Sequence, residues 1–290
     1  MKSQLDCVPC FTRQALDAVS LVVEDPNQRE TLLRRLLQEI SKADWQQSPP
    51  AMGQRIHQII RKELDCADPY AAVKKQMNEM ATRLVPAMRD RIEQHPDPRE
   101  AAVRVAIGGN LLDTGAKSQI SAEELPAHLD TIWHEPLHGD LQAFFKAVDE
   151  AQSILYLADN AGEIVFDRLL LEHLPAEKIT LVVRGAPVLN DVTRADAETA
   201  GILDLVPVID NGSDAPGTIL EDCSTKFRKR FEEADLIIAK GQGNYETLSD
   251  VDKPIFFLFT VKCSLIAEHV QEPVGGLVVK AGQGQTQETK

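Results

Sequence analysis

Asp159 and Asn160 place a carboxylate beside an amide, where a short apolar run ends and a helical pattern begins. The apolar run at 154–157 predicts a buried strand, and residues 163–174 have the apolar spacing of a helix. Asn160 is a common type of helix cap, and Glu163 three residues later would complete a capping pair. Capping leaves Asp159 unexplained, because a carboxylate that closes a buried strand needs a partner. The pattern fits either a helix cap or a metal site.

Asp191 supplies another oxygen donor, shortly after the next apolar run at 179–183. Hard cations such as Mg²⁺ and Mn²⁺ prefer oxygen ligands and keep several waters, so two carboxylates and one amide oxygen can suffice. Asp159, Asn160 and Asp191 are such a set. Taken alone, Asp191 is equally well interpreted as the cap of the helix that follows it. The metal hypothesis therefore depends on the three residues lying together.

Three cations also follow apolar runs: Arg184, Lys240 and Lys262. A lysine at a strand end is most often solvated, but a pair facing a metal crevice would bind phosphoryl oxygens as point charges. Gly241 and Gly243 follow Lys240, and their N–H groups either approach an anion or form a tight turn. The stretch is neither a P-loop nor a GxGxxG fingerprint.

The same residues can be compared with those of a phosphatase chemistry in which an aspartate is the nucleophile. Enzymes of the haloacid dehalogenase type use a nucleophilic Asp at the first strand end and a second Asp two positions later. Here that second position is Ala161, which cannot protonate a leaving group. A water activated by a metal ion is therefore the better candidate for the nucleophile.

Cys7 and Cys10 form a CxxC pair near the N-terminus. The pair predicts half of a zinc site, a redox pair or buried thiols, and Cys66 is the other cysteine of the helical half that could join them. A non-enzymatic metal or redox binder built on these three cysteines is therefore one alternative function. The odd total of five cysteines argues against a disulfide framework.

The elements that must position these groups change character along the chain. Apolar residues recur at helical spacing from residue 10 to 105, with Pro-containing breaks that divide them into four or five helices. After residue 150, short apolar β-branched runs alternate with helical segments, which is typical of a parallel sheet covered on both faces. We predict an α/β fold, a Rossmann-like doubly wound and mostly parallel sheet with an N-terminal all-helical domain. The boundaries are 1–105 for the helical domain, 106–282 for the metal-binding catalytic domain and 283–290 for a flexible tail.

Composition excludes some classes of function. The chain has 290 residues, 43% of them hydrophobic and 26% charged, as in ordinary globular proteins. The net charge of −14 argues against a nucleic-acid surface, which needs clustered Lys and Arg. No apolar run is long enough to cross a bilayer and no export signal is evident, so the expected location is cytoplasmic.

Five stretches resemble the DUF89 family, also called the damage-control phosphatases. They are GNLLD at 109–113, DNAGE at 159–163, LND at 189–191, KGQGNYE at 240–246 and TVKC at 260–263. The order of DNAGE and KGQGNYE is the more specific part of the likeness, which runs from residue 5 to 280. The CxxC pair is similar to that of a prokaryotic branch of this family.

The resemblance implies a metal-dependent phosphatase that acts on small phosphorylated metabolites, commonly sugar phosphates. It implies metal binding by Asp159, Asn160 and Asp191, with Mn²⁺, Co²⁺, Ni²⁺ or Mg²⁺ as the cation. It also implies substrate contacts from Asn110, Asp113 and Lys262, to which the strand-end argument adds Arg184, Lys240 and Gly241. Eukaryotic members carry the acidic residue after DNAG one place further on, so Glu163 is predicted to be a helix cap.

A methyltransferase that uses S-adenosylmethionine is the other enzymatic alternative on this type of sheet. It would need a glycine-rich turn after the first strand and an acidic residue at the end of the second. The first turn offers Gly162 alone, and the second strand ends at Arg184-Gly185. The sequence leaves open whether the chain forms a homo-oligomer.

Overall fold

The computed structural model describes residues 1–109 and 130–285. Elements are numbered along the described chain. The helices are α1 (Cys7–Val22), α2 (Pro26–Ile40), α3 (Pro49–Leu64), α4 (Ala71–Gln94), α5 (Pro98–Gly108), α6 (Leu141–Glu150), α7 (Glu163–Leu171), α8 (Arg194–Thr199), α9 (Thr225–Glu233), α10 (Gly241–Leu248) and α11 (Ser264–Val270). The strands are β1 (Leu137–Gly139), β2 (Ile154–Leu157), β3 (Ile179–Val183), β4 (Val208–Asp210), β5 (Leu236–Lys240), β6 (Ile255–Thr260) and β7 (Leu277–Ala281).

Proline and aspartate set the helix starts that the sequence predicts. Pro26 and Pro98 open α2 and α5, where a missing N–H costs nothing because that group has no helical partner. Asp25 accepts a hydrogen bond of 2.8 Å from the N–H of Gln28, and Asp97 caps α5 in the same way. These caps satisfy backbone donors that the first helical turn cannot.

The described strands form one sheet in the order β1-β7-β6-β5-β2-β3-β4. All neighbouring strands pair in parallel except β6 and β7, which are antiparallel. The prediction of a doubly wound, mostly parallel sheet is thus confirmed. The chain runs outward from β2 to β3 and β4, then returns to the other side of β2 as β5. The ends of β2 and β5 therefore mark the switch point, where such sheets bind ligands.

Alternate side chains of β2 are buried on opposite faces of the sheet. Tyr156 packs in the core that α4, α5 and α7 share with one face, and Leu155 and Leu157 pack with α9, α10 and α11 on the other. Helices α1 to α3 enclose a separate apolar cluster that Leu265 also contacts. The division of the chain at residue 105 stays a prediction.

Two sequence expectations need adjustment. The apolar run at 205–209 is typical of a strand, but only its last two residues belong to β4, which begins at Val208 after a 3₁₀ turn at Ile202–Asp204. Strand β1 was not predicted, since it has three residues and no β-branched side chain. In the described residues, no helix is both long and apolar enough to span a membrane.

Candidate functional site

Backbone hydrogen bonds join the loops that carry Asp159 and Asp191. Asn160 and Asp191 form an isolated antiparallel bridge. The N–H of Val192 donates to the carbonyl of Asp159 at 2.9 Å, and the N–H of Ala161 donates to that of Asn190 at 2.8 Å. The two loops therefore run side by side at the carboxyl ends of β2 and β3. The sequence places its three oxygen donors correctly in one region.

The capping interpretation of Asn160 and Glu163 is wrong. Helix α7 begins at Glu163 with Gly162 as its N-cap and has no side-chain cap. The amide of Asn160 instead donates a 2.6 Å hydrogen bond to Oδ2 of Asp159. The N–H of Gly162 donates to Oδ1 of Asn78 on α4 at 2.6 Å, so a residue that the sequence did not single out supports this loop.

The Asp159 carboxyl is buried among other acidic groups. Burial raises its pKa well above the usual value, and the charges of Glu163 and Asp191 raise it further, against the opposing charges of Lys262 and Arg184. A cluster of this kind is most stable with an additional positive charge beside it. The donor set of two carboxylates and one amide therefore fits a hard divalent cation.

Water must complete the coordination of such a cation. Across residues 1–109 and 130–285, no group of three or more His, Cys, Asp or Glu side chains is arranged to hold a metal ion. The proposed set contains only two such side chains, and Mg²⁺ commonly keeps several waters in sites of this kind.

Arg184 lies behind the candidate site instead of in the cavity. Its side chain is 1% exposed, and its Nε donates to Oδ2 of Asp191 at 2.7 Å. Its Nη2 is 3.8 Å from Oδ1 of Asp159. Because Arg184 is not among the described residues that line the cavity, its predicted contact with substrate is not supported. Its position instead lets it orient Asp191.

Lys240 also has a role that the sequence did not predict. It is fully buried, and its Nζ lies 2.6 Å from both Glu163 and Asp167 and 2.9 Å from the carbonyl of Ala106. Burial lowers the pKa of Lys240, but the two carboxylates outweigh this effect and raise it above its usual value. The ammonium thus points into the core, and the prediction that it contacts substrate is not supported.

Because Gly241 has no side chain, the carboxylate of Asp159 can lie close to its backbone. It has a φ of +79°, and a Cβ atom at this position would fall on the carboxylate of Asp159. Its predicted contact with substrate stays a prediction, but the geometry shows that it makes room for Asp159.

The variant Gly241→Ala should therefore lose both stability and activity. Gly275→Ala is a matched control, because Gly275 has a φ of +89° and nothing within 4 Å of the added Cβ. Backbone strain should cost each variant on the order of 1–3 kcal/mol, measured by urea unfolding. Only Gly241→Ala should also lose catalytic turnover, because only there does the methyl group displace Asp159. Equal turnover in the two variants would contradict this role.

A cavity of about 350 Å³ opens in front of Asp159 and Asp191. Its other walls come from α1, α3, the first turns of α10 and the loop after β6. Lys262 lines it, and the backbone N–H of Lys262 donates to Oε1 of Gln242 at 2.9 Å. Of the three predicted cations, Lys262 is thus the one that faces the cavity.

The cavity wall brings together cysteines that are far apart in sequence. Cys7, Cys10 and Cys263 line it, whereas Cys66 follows the end of α3 and does not. In the part of the chain that the structure describes, Cys7, Cys10 and Cys66 do not come together as the three-cysteine metal site that the sequence left open as an alternative. Residues Asn110 and Asp113, predicted to contact substrate, lie outside the described residues.

Comparison with known proteins shows the family of this chain. The family model of the damage-control phosphatase ARMT1-like domain matches residues 3–278. The chain belongs to this family, DUF89. It is 36% identical to a damage-control phosphatase of Archaeoglobus fulgidus, with 97% of this chain and 99% of that protein covered. It is 32% identical to a damage-control phosphatase of Pyrococcus horikoshii, with 96% and 97% covered.

A solved structure shares the fold of this DUF89 chain. The crystal structure of a DUF89 family protein from Pyrococcus horikoshii matches with a TM-score of 0.87 and 32% identity. The match covers 98% of this chain and 100% of the other. The family resemblance given by the sequence motifs is therefore confirmed, while the assignment to the branch with the CxxC pair stays a prediction.

Proposed function

We propose that this chain is a divalent-metal-dependent phosphatase that hydrolyses small phosphorylated metabolites, such as sugar phosphates or related phosphomonoesters. The main support is the convergence of Asp159, Asn160 and Asp191 at the switch point of the sheet, on a cavity that Lys262 also lines. Two relatives are named damage-control phosphatases, which supports phosphatase activity. The cavity volume lies within the range of small-molecule sites, which favours a small substrate.

The carboxylates of Asp159 and Asp191 and the amide oxygen of Asn160 would hold Mn²⁺, Co²⁺, Ni²⁺ or Mg²⁺. A bound divalent cation supplies Lewis acidity, which polarises a phosphoryl oxygen and lowers the pKa of water. Arg184 keeps the Asp191 carboxylate in place from behind. Lys262 binds the phosphoryl oxygens and offsets the negative charge that they carry during in-line displacement.

The test is a screen of phosphate release by the chelator-treated protein. Sugar phosphates, nucleotides, phosphorylated cofactors and p-nitrophenyl phosphate are supplied with each of the four cations in turn. We expect no turnover with chelator alone, and turnover of at least one class of small phosphomonoester when a cation is returned. Turnover that is unchanged by chelator would contradict the metal requirement. No phosphate release under any condition would contradict phosphatase activity itself.

A further inference from the structure

Glu246 is a carboxyl group in the cavity wall to which the roles above assign no function. It lies in the second turn of α10, is partly buried and lines the cavity together with Lys262. Its Oε1 accepts a 2.8 Å hydrogen bond from Nε2 of Gln242. Because Oε1 of Gln242 accepts the N–H of Lys262, one side chain fixes Glu246 relative to the loop after β6.

The surroundings of Glu246 keep a large fraction of this carboxyl protonated near neutral pH. Burial raises its pKa to about 7, although the hydrogen bond from Gln242 and the charges of Lys262 and the N-terminal ammonium act in the opposite direction. The Met1 ammonium donates a 2.7 Å hydrogen bond to the backbone carbonyl of Glu246. The thiol of Cys7 on α1 lies close enough to the Glu246 side-chain carboxyl to interact with it electrostatically. A carboxyl group of this pKa can hold a proton at neutral pH and release it during a reaction.

Lys262 links this carboxyl to the candidate cation site. Its positive charge acts on both Asp159 and Glu246, so the ammonium lies within electrostatic reach of both. A phosphoryl group bound by Lys262 would therefore lie in one cavity with the acidic pair Asp159 and Asp191 and with the Glu246 carboxyl. Asp6 is another carboxyl group in the described lining, but it is exposed to solvent.

We propose that Glu246 is the general acid that protonates the leaving oxygen of the phosphomonoester. This rests on the proposed phosphatase function. As the bond from phosphorus to the leaving oxygen breaks, its electron pair stays on that oxygen and takes the proton of Glu246. The attacking water forms the new bond to phosphorus. One of its protons remains on the phosphate, and the other returns to Glu246 through solvent, which leaves an alcohol, phosphate and the original acid.

The test compares leaving groups. The variant Glu246→Gln keeps the size and hydrogen-bonding capacity of the side chain but cannot donate a carboxyl proton. Its kcat is measured on p-nitrophenyl phosphate, whose leaving group needs no proton, and on the alkyl phosphate that the wild-type protein hydrolyses fastest. We expect kcat on the alkyl phosphate to fall about 10²- to 10⁴-fold, with little change on p-nitrophenyl phosphate. Glu232→Gln, at an exposed position of α9, is the control and should match wild type on both substrates.

A pH profile gives a second readout that a merely structural role would not change. A general acid must be protonated, so wild-type kcat on the alkyl phosphate should decline as pH rises through about 7. That decline should be absent in Glu246→Gln and return in Glu246→Asp. Equal losses on both substrates, or an unchanged profile, would overturn this assignment alone. A wild-type protein that releases no phosphate would overturn the proposed function and the assignment together.

Discussion

The variant Asp159→Asn should lose metal-dependent turnover by a factor of about 10² or more while its fold remains intact. A cation contributes several kcal/mol to such reactions, and each tenfold of rate corresponds to about 1.4 kcal/mol. The loss follows because Asn keeps the shape of the side chain but removes the negative charge that would bind the cation. The measurement is kcat for phosphate release at saturating Mn²⁺.

The same substitution should leave the metal-free protein equally stable or more stable. Burial and the neighbouring charges of Glu163 and Asp191 already disfavour an ionised Asp159, so a neutral side chain relieves this repulsion. Added Mn²⁺ should raise the Tm of wild type but not of the variant, because a ligand stabilises only the state that binds it.

Asp210→Asn is the matched control for Asp159→Asn. Asp210 also ends a strand of the sheet, at β4, but it is exposed and is not among the described residues that line the cavity. It should keep wild-type turnover and the wild-type response to Mn²⁺. If Asp159→Asn kept near-normal metal-dependent turnover, the assignment of Asp159 to the cation would be wrong.

Lys240→Met should produce the largest loss of stability, about 3–5 kcal/mol in the free energy of unfolding. The methionine would fill similar volume but would leave Glu163 and Asp167 as buried carboxyl groups without their cation. The carbonyl of Ala106 would also lose a hydrogen bond. Urea unfolding followed by circular dichroism measures the effect, with Lys229→Met as control. Lys229 is exposed on α9, so its loss should change stability by less than about 0.5 kcal/mol.

A triple variant separates lost charge pairing from lost packing. Combining Lys240→Met with Glu163→Gln and Asp167→Asn removes the two buried negative charges that the single variant leaves without their cation. Most of the lost stability should therefore return, since neutral replacement of a complete buried ion pair is far less costly than removal of one partner. If the triple variant were no more stable than Lys240→Met, packing and not charge would explain the loss.

The sequence predicts the ends of β2, β3, β5 and β6 well, because each of these strands is a short apolar run that stops at a polar residue. Parallel strands bring their carboxyl ends to one edge, which is why Asp159 and Asp191 could be placed together without coordinates. Lys262 was placed correctly at the cavity by the same argument.

That argument fails for Lys240 and Arg184, because a strand-end position does not fix the direction of a long side chain. A signal for Lys240 was nevertheless present. Glu163 and Asp167 are four residues apart on a helix whose other residues are mostly apolar, so they lie on one face and need a buried cation. The sequence signal for a buried cation therefore lies in the two acidic residues and not in the lysine itself.

Contacts between segments that are distant along the chain could not be predicted from the sequence. Asn78 supports Gly162 from 84 residues away, and Cys263 shares the cavity wall with Cys7. Local periodicity does not show which face of α4 meets the sheet, or that α1 and the loop after β6 line the same cavity. These contacts follow from the packing of whole elements.

The most direct test of the candidate cation site is diffraction from crystals of the wild-type protein grown with Mn²⁺, recorded on both sides of the manganese absorption edge. The proposed function requires an anomalous peak within coordination distance of oxygen atoms of Asp159, Asn160 and Asp191. Crystals of Asp159→Asn grown in the same way should lack that peak. A wild-type map with no manganese between these residues, or with manganese bound only at the cysteines of the cavity wall, would contradict the account.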